Sequence, residues 1–149
     1  NMKKKPIIDW DKETGITTCE VEDAEGRKFF GKAVCSPEDA DYKSVFTGGT
    51  IAELRATINA FKAYRIDKRH ELKALNQLYY SMNQSQYFNP KSYENIMLQR
   101  QIRFKKEDIK AATEQISLLQ ENLRKYIEDK DRFHEKIMDK ARKEKKHNS

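Results

Sequence analysis

One segment decides the fold of this chain: Thr50–Met82, which reads TIAELRATINAFKAYRIDKRHELKALNQLYYSM. Thr50 and Glu53 have the spacing of a capping box, in which each side chain bonds a free backbone N–H at a helix start. Apolar residues then follow the seven-residue repeat of a coiled-coil seam. The seam residues are Ile51, Leu54, Ile58, Phe61, Leu72, Leu75, Tyr79 and Met82. The segment therefore predicts a long helix that begins at Thr50 and packs against a second helix.

Two cations, Arg65 and Lys68, occupy seam positions where the repeat favours an apolar residue. A buried cation needs a partner, so these side chains either pair with acids across the seam or set its register. The alternative is that the phase of the repeat is assigned wrongly in this stretch.

A second helical pattern begins at Asn89–Pro90, which is typical of an N-cap followed by the first helical residue. One heptad register then continues to near Lys140, and the tail KARKEKKHNS is predicted to be frayed or disordered. The register residues are Leu98, Ile102, Ile109, Ala112, Ile116, Leu119, Leu123, Tyr126, Phe133 and Ile137. The helices span about 34 and about 50 residues, so a folded hairpin leaves roughly 16 residues unpaired. The stripe from Leu123 to Ile137 must then face the N-terminal sheet or another copy, and we expect a homo-oligomer.

The N-terminal segments TGITTCEVED and RKFFGKAVCS alternate apolar and polar residues around AEG, which predicts a β-hairpin. Pairing Val21 with Phe29 places Cys19 opposite Gly31. Cys35 then lies about 13 Å from Cys19 at the rise of a strand. Because a disulfide needs Cα atoms within about 7 Å, this register predicts two free thiols.

The upstream segment KPIIDW is expected to add a third strand, with Trp10 covering the sheet. The predicted fold class is therefore α+β, a small N-terminal antiparallel β-core followed by two long coiled-coil-forming helices. The predicted domains are a β-core at 1–49 and, at 50–149, two antiparallel helices with a basic C-terminal tail.

The net charge of +6 is unevenly distributed, because residues 51–149 hold 22 Lys and Arg against 14 Asp and Glu. This excess favours an anionic partner, although a solvated coiled-coil surface would show it too. No apolar run approaches the roughly 20 residues of a membrane span. The start NMKKKP lacks the apolar stretch of a signal peptide, so we expect a cytoplasmic protein with no membrane partner.

Patterns for catalysis and metal binding are missing from the sequence. His70, His134 and His147 have no Cys or carboxylate at metal-ligand spacing, and no phosphate-binding glycine motif occurs. Neither cysteine has an activating neighbour. We expect no enzyme, no metal and no cofactor.

The candidate binding site is the segment YFNPKSYENIMLQRQIRFKK, from Tyr87 to Lys106. Phe88 and its aromatic neighbours offer a surface on which a base could stack. Asn89 and Asn95 can pair with an adenine edge, and Arg100 and Arg103 can bind phosphate oxygens. The neighbouring aromatics are Tyr79, Tyr80, Tyr87 and Tyr93. The alternative is a hydrophobic turn that only closes the helical hairpin.

The segments GRKFFGKAVCSPEDAD and TGGTIAELRA, followed by two long helices, resemble the first family of phage-encoded Thoeris anti-defence proteins. The likeness is strongest over residues 15–65. It implies a non-enzymatic protein that assembles through its helices and sequesters cyclic ADP-ribose isomers made by bacterial TIR-domain enzymes. Some members also take up cyclic oligonucleotides at separate sites. In a phage-encoded protein, the compartment would be the bacterial host cytoplasm.

The family pocket uses a stacking aromatic residue, an asparagine and arginines from the helices. The residues of this chain that could match are Phe88, Asn89, Asn95, Arg100 and Arg103. The resemblance therefore predicts sequestration of a cyclic ADP-ribose isomer without cleavage, and nucleic acid is not an expected partner. The alternative function is a basic coiled-coil module that binds nucleic acid or inhibits a defence protein.

Overall fold

The computed structural model describes residues 5–34 and 45–147, which form a three-stranded antiparallel sheet followed by two long helices. The strands β1 (Ile7–Asp11), β2 (Ile16–Glu22) and β3 (Lys28–Val34) lie in the order β1-β2-β3. The helices are α1 (Val45–Asn83) and α2 (Tyr93–His147). The predicted α+β class and the order of its elements are confirmed.

The chain divides into two compact units, and each long helix contributes to both. The sheet unit, Asn1–Ala60 with Leu118–Ser149, contains the three strands, the first part of α1 and the last part of α2. The turn unit, Phe61–Ser117, contains the other parts of the helices and the connection between them. Within the described ranges, neither helix contains a stretch apolar enough to span a bilayer.

The predicted hairpin and its register are confirmed. Val21 pairs with Phe29 and Cys19 pairs with Gly31. The predicted third strand is β1, which pairs antiparallel with β2. Trp10 lies on β1 but remains 42% exposed, so it covers the sheet only in part. Cys35 lies outside the described residues, and the predicted separation of the two thiols stays a prediction.

Close backbone packing fixes α1 on the sheet. Val21 and Cys19 are buried beside Ala52 and Ala56 of α1 in one hydrophobic cluster. A Cβ at Gly31 would come within 3.0 Å of the carbonyl oxygen of Ala52 and the amide nitrogen of Ala56. The lack of a side chain at Gly31 therefore lets the helix lie directly on β3. Burial also raises the pKa of the Cys19 thiol.

The predicted start of the first helix is wrong, because α1 begins at Val45 and Thr50 lies inside it. Gly48 and Gly49 are helical although glycine is a poor helix former. A Cβ at Gly48 would lie 2.6 Å from the Thr17 hydroxyl, and one at Gly49 would lie 3.1 Å from Ile8. Packing against the sheet thus extends the helix through residues whose local preference is against it.

Side chains of α1 cap the exposed edge of the sheet. Arg55 donates a hydrogen bond to the carbonyl oxygen of Lys32 at 2.6 Å, and Asn59 donates one to that of Phe30 at 2.8 Å. Both carbonyls belong to β3, which is a terminal strand of the sheet. Unpaired carbonyls on an edge strand are a template for another strand, and these two bonds occupy them.

The last part of α2 packs against the sheet unit of its own chain. Leu123, Tyr126 and Ile127 contact the buried hydrophobic cluster and are half-buried. The sequence predicted that the stripe from Leu123 to Ile137 faces either the N-terminal sheet or another copy of the chain. The first part of this stripe packs against the sheet unit. Phe133 is 66% exposed and is the member of the stripe that stays open to solvent.

The predicted fraying after Lys140 is wrong, because α2 remains helical to His147. Oppositely charged side chains three or four positions apart support a helix even where it has few packing partners. Arg124 pairs with Glu121 and Glu128, and Arg142 lies 3.5 Å from Asp139.

Candidate functional site

The seam of the turn unit has the predicted phase. Arg65 and Lys68 are half-buried, as the seam positions around them are. Arg65 donates a hydrogen bond to the hydroxyl of Thr113 at 3.3 Å. The carboxylate of Glu71 lies 3.0 Å from the ammonium of Lys68 and 3.2 Å from that of Lys105. Both cations thus have polar partners, and those partners come from α1 and α2.

The Glu71 carboxylate links the two helices electrostatically. Its hydrogen bond with Lys68, and then that with Lys105, holds its pKa below the usual range of glutamate. Lys68 also lies 5.1 Å from the centre of the Tyr64 ring, a cation–π distance. These contacts fix the register of the antiparallel helix pair, and the paired lysines are already partly neutralised.

The connection between the helices is a series of tight turns ending in a helix cap. The predicted N-cap at Asn89 is wrong, because α2 starts at Tyr93 and Ser92 caps it. The Ser92 hydroxyl accepts a hydrogen bond from the amide of Asn95 at 3.2 Å. Asn89 instead closes a turn over Pro90, with its side-chain oxygen accepting from the amide of Lys91 at 3.0 Å. Proline suits the second position of such a turn.

The buried side chain of Asn95 holds this turn by a hydrogen bond. The side chain is fully buried, and its side-chain amide nitrogen donates a hydrogen bond to the carbonyl oxygen of Pro90 at 3.0 Å. Its side-chain oxygen is also buried and has no hydrogen-bond partner among the described residues. A ligand on the surface could contact Asn95 only if the turn moved. The structure therefore gives Asn95 a positioning contact with the backbone.

Aromatic side chains surround the turn, as the sequence predicts. Phe88 packs edge-on against Tyr79, with ring centres 6.4 Å apart at 87°. Three tyrosines are largely exposed: Tyr80 at 67%, Tyr87 at 84% and Tyr93 at 73%. Rings this exposed contribute little to a hydrophobic core, so their surfaces are free for stacking.

A depression of about 310 Å³ lies in this turn, which is at the lower end for small-molecule sites. Its lining residues are Met82, Ser85, Tyr87, Phe88, Asn89, Ser92 and Glu94. The structure thus brings together two of the predicted site residues, Phe88 and Asn89. The carboxylate of Glu94 disfavours a phosphate inside the depression, so the depression suits a base or a sugar better.

Arg100 and Arg103 lie further along α2 and do not line the depression. They follow Tyr93 by seven and ten residues, which corresponds to about 10 and 15 Å along a helix axis. Both are exposed, and the Arg103 guanidinium lies 5.9 Å from the centre of the Phe104 ring. They could meet only a ligand that extends beyond the turn.

Sequence reasoning missed a larger recess of about 570 Å³ along α1. Its lining residues are Arg69, Leu72, Lys73, Asn76, Gln77, Tyr80 and Ser81. They recur at helical spacing on one face, next to the predicted seam. The available signal was the polar stripe Arg69, Lys73, Asn76 and Tyr80 at spacings of four, three and four.

The turn unit carries most of the net positive charge of the protein. Phe61–Ser117 holds 11 Lys and Arg against 6 Asp and Glu, which is +5 of the net +6. Across the described residues, no three His, Cys, Asp or Glu side chains are grouped as a metal site would require. The electrostatics of this unit therefore favour an anion.

No protein-family model, curated protein or solved structure matches this chain. The resemblance to the Thoeris anti-defence proteins therefore rests on the sequence segments quoted above.

Proposed function

We propose that this protein is a phage-type anti-defence protein that binds and sequesters a cyclic ADP-ribose isomer without cleaving it. The observation that carries the proposal is the exposed aromatic cluster at the interhelical turn, beside the depression lined by Phe88 and Asn89. Stacking of a base on such rings is worth roughly 1–3 kcal/mol per base in single-stranded systems. The sequence resemblance supplies the identity of the ligand.

The proposal gives each predicted site residue a distinct role. Phe88 stacks on the adenine and Asn89 pairs with its edge, because both line the depression. Asn95 holds the turn that presents them, through its hydrogen bond to Pro90. Arg100 and Arg103 bind the diphosphate where the ligand leaves the depression, since both are exposed on the following turns of α2.

We also propose that the working form is a homo-oligomer. Phe133 is 66% exposed on a helix that runs on to His147, and a second copy is the occupant that the heptad pattern favours.

A ligand-release experiment tests the proposal. The protein is incubated with a panel of cyclic ADP-ribose isomers, freed of unbound nucleotide and heated, and the released material is analysed by mass spectrometry. We expect one isomer to be retained and recovered with unchanged mass. A product of altered mass would exclude sequestration without cleavage.

Variants then locate the site by calorimetry with the retained isomer. Arg100→Ala and Arg103→Ala should each weaken binding by roughly 10–150-fold, the value of hydrogen bonds to a charged group. Phe88→Ala should weaken binding through lost stacking and lower stability, because Phe88 also packs on Tyr79. Phe30→Ala, which removes an exposed ring on β3, is the matched control and should bind normally. If all three turn variants bind like wild type, the turn is not the site.

A further inference from the structure

The recess along α1 has the chemistry of an anion site. Arg69 and Lys73 are exposed, and neither has an ion-pair partner in the described part of the chain. Their neighbour Lys68 differs, because it is bound to Glu71. An unpaired cation in water keeps its full capacity to bind a phosphate, whereas a paired one must first lose its partner.

The same recess offers groups for an aromatic base. Tyr80 is 67% exposed and lies at the opposite end from the cations. Arg69 and Lys73 are about 6 Å apart along the axis, and Tyr80 lies about 10 Å beyond Lys73. The amides of Asn76 and Gln77 lie between them and provide paired donors and acceptors.

We propose that this recess is a binding site for a nucleoside phosphate, with Arg69 and Lys73 on the phosphate and Tyr80 stacked on the base. Leu72 and the methylene stems of the two cations also line the recess and can cover the sugar. This site is separate from the depression lined by Phe88, where the carboxylate of Glu94 disfavours a phosphate. The inference does not depend on the proposed function.

The ligand chemistry has two sources, a free nucleotide or a single-stranded nucleic acid. A free nucleotide places one phosphate group on the cations and should depend weakly on salt. A strand runs along the recess past both ends and should lose affinity steeply as salt rises, because each phosphate contact releases counterions. Both sources require the same side chains.

Binding measurements with two probes test the inference. ADP is titrated by calorimetry, and a fluorescein-labelled short oligothymidylate is titrated by fluorescence anisotropy at about 50 and 200 mM salt. The test variants are the double variant Arg69→Gln/Lys73→Gln and the single variant Tyr80→Ala. The matched control, Lys106→Gln/Lys110→Gln, removes two exposed cations at the same spacing in the same unit. Thermal unfolding confirms that every variant is folded.

We expect at least one probe to bind to wild type and to bind about tenfold or more weakly to the double variant. Tyr80→Ala should also weaken binding, while the control should retain it. Binding of ADP identifies a free nucleotide as the source, and salt-sensitive binding of the oligothymidylate alone identifies a strand. The inference is overturned if neither probe binds, or if the control loses as much affinity as the double variant. Loss in Phe88→Ala alone would overturn it too, and would assign nucleotide binding to the turn.

Discussion

Gly31→Ala is the sharpest test of how the sheet unit is built. The added Cβ would meet the carbonyl oxygen of Ala52 and the amide nitrogen of Ala56 at less than 3.0 Å, and both are main-chain atoms that no rotamer change can move. Ordinary contacts need about 3.5–4.0 Å, so α1 must retreat from β3 by roughly 1.5 Å or more. A gap of only about 1 Å already forfeits up to about half of the dispersion energy of each contact across the buried cluster.

Overpacking of a core costs about 1–3 kcal/mol and more where the backbone must shift. We therefore expect Gly31→Ala to lower the free energy of unfolding of the sheet unit by about 3 kcal/mol or more. With a urea m-value of about 2 kcal/mol/M, the midpoint falls by roughly 1.5 M. Trp10, the single tryptophan, lies on β1 and reports on this unit by fluorescence.

Gly26→Ala is the matched control, because it also adds one methyl group, in the turn that joins β2 to β3. Gly26 has φ +83°, but a Cβ there would meet only a glutamate oxygen at 3.5 Å. The left-handed backbone alone costs about 1–2 kcal/mol for alanine. If Gly31→Ala unfolds at the same urea concentration as wild type, or costs less than Gly26→Ala, the helix does not lie on β3 as described.

Four further variants address the other contacts. Leu123→Asp should unfold the sheet unit, because it places a carboxylate against the buried cluster at a cost of several kcal/mol. Phe133→Asp should instead leave the monomer folded and dissociate the proposed oligomer, as light scattering can measure. Glu71→Gln should be less stable than wild type at neutral pH by under about 1 kcal/mol, because the carboxylate is half-exposed and screened by solvent. That difference in melting temperature should vanish as the pH falls through the lowered pKa of Glu71, since the carboxyl loses its contribution on protonation. The double variant Arg55→Ala/Asn59→Ala should lose about 1 kcal/mol per hydrogen bond and aggregate faster on gentle heating, as thioflavin fluorescence can measure.

Each of these has a contrary outcome. Dissociation by Leu123→Asp with an intact sheet unit would move that residue from the core to an interface. A pH-independent difference for Glu71→Gln would show that its lysine partners do not depress its pKa. Unchanged aggregation of the double variant would mean that the β3 edge needs no cap.

Periodicity and pairing rules predicted the parts of the fold that depend on repeating burial. The hairpin register follows from alternation together with the short turn between the strands, since a slip by one residue would turn Cys19 and Val21 to solvent. The α1 seam is predictable even through Arg65 and Lys68, because long cationic side chains can lie along a seam with their charged ends paired. These are properties of local sequence that tertiary contacts do not override.

The helix ends were predicted less well, because they depend on contacts between distant residues. Capping rules favour a start at Thr50, but packing of the preceding glycines on β1 and β2 extends α1 back to Val45. Capping rules also favour Asn89 over Ser92, although the Asn89 side chain closes its own turn first. Both errors arise because a capping rule considers only hydrogen bonds between neighbouring residues, whereas the folded chain forms other contacts at these positions.

Part of the candidate site could be predicted from the sequence, and part of it could not. The aromatic cluster at the turn is visible from composition, and Phe88 and Asn89 meet there because they are adjacent in sequence. The sequence did not show that Asn95 is buried beneath the turn or that Tyr80 belongs with Arg69 and Lys73. Those assignments need the helix face to be known in three dimensions.

The difference between the two edges of the sheet has a consequence for how copies of this chain could associate. Arg55 and Asn59 occupy two carbonyl groups of β3, so edge-to-edge association of chains would favour β1. Two chains that joined β1 to β1 would form a six-stranded sheet with a capped β3 at each end. The two capped carbonyl groups would disfavour the addition of a third chain at either end. An open β3 edge would instead allow chain after chain to join and produce a fibre.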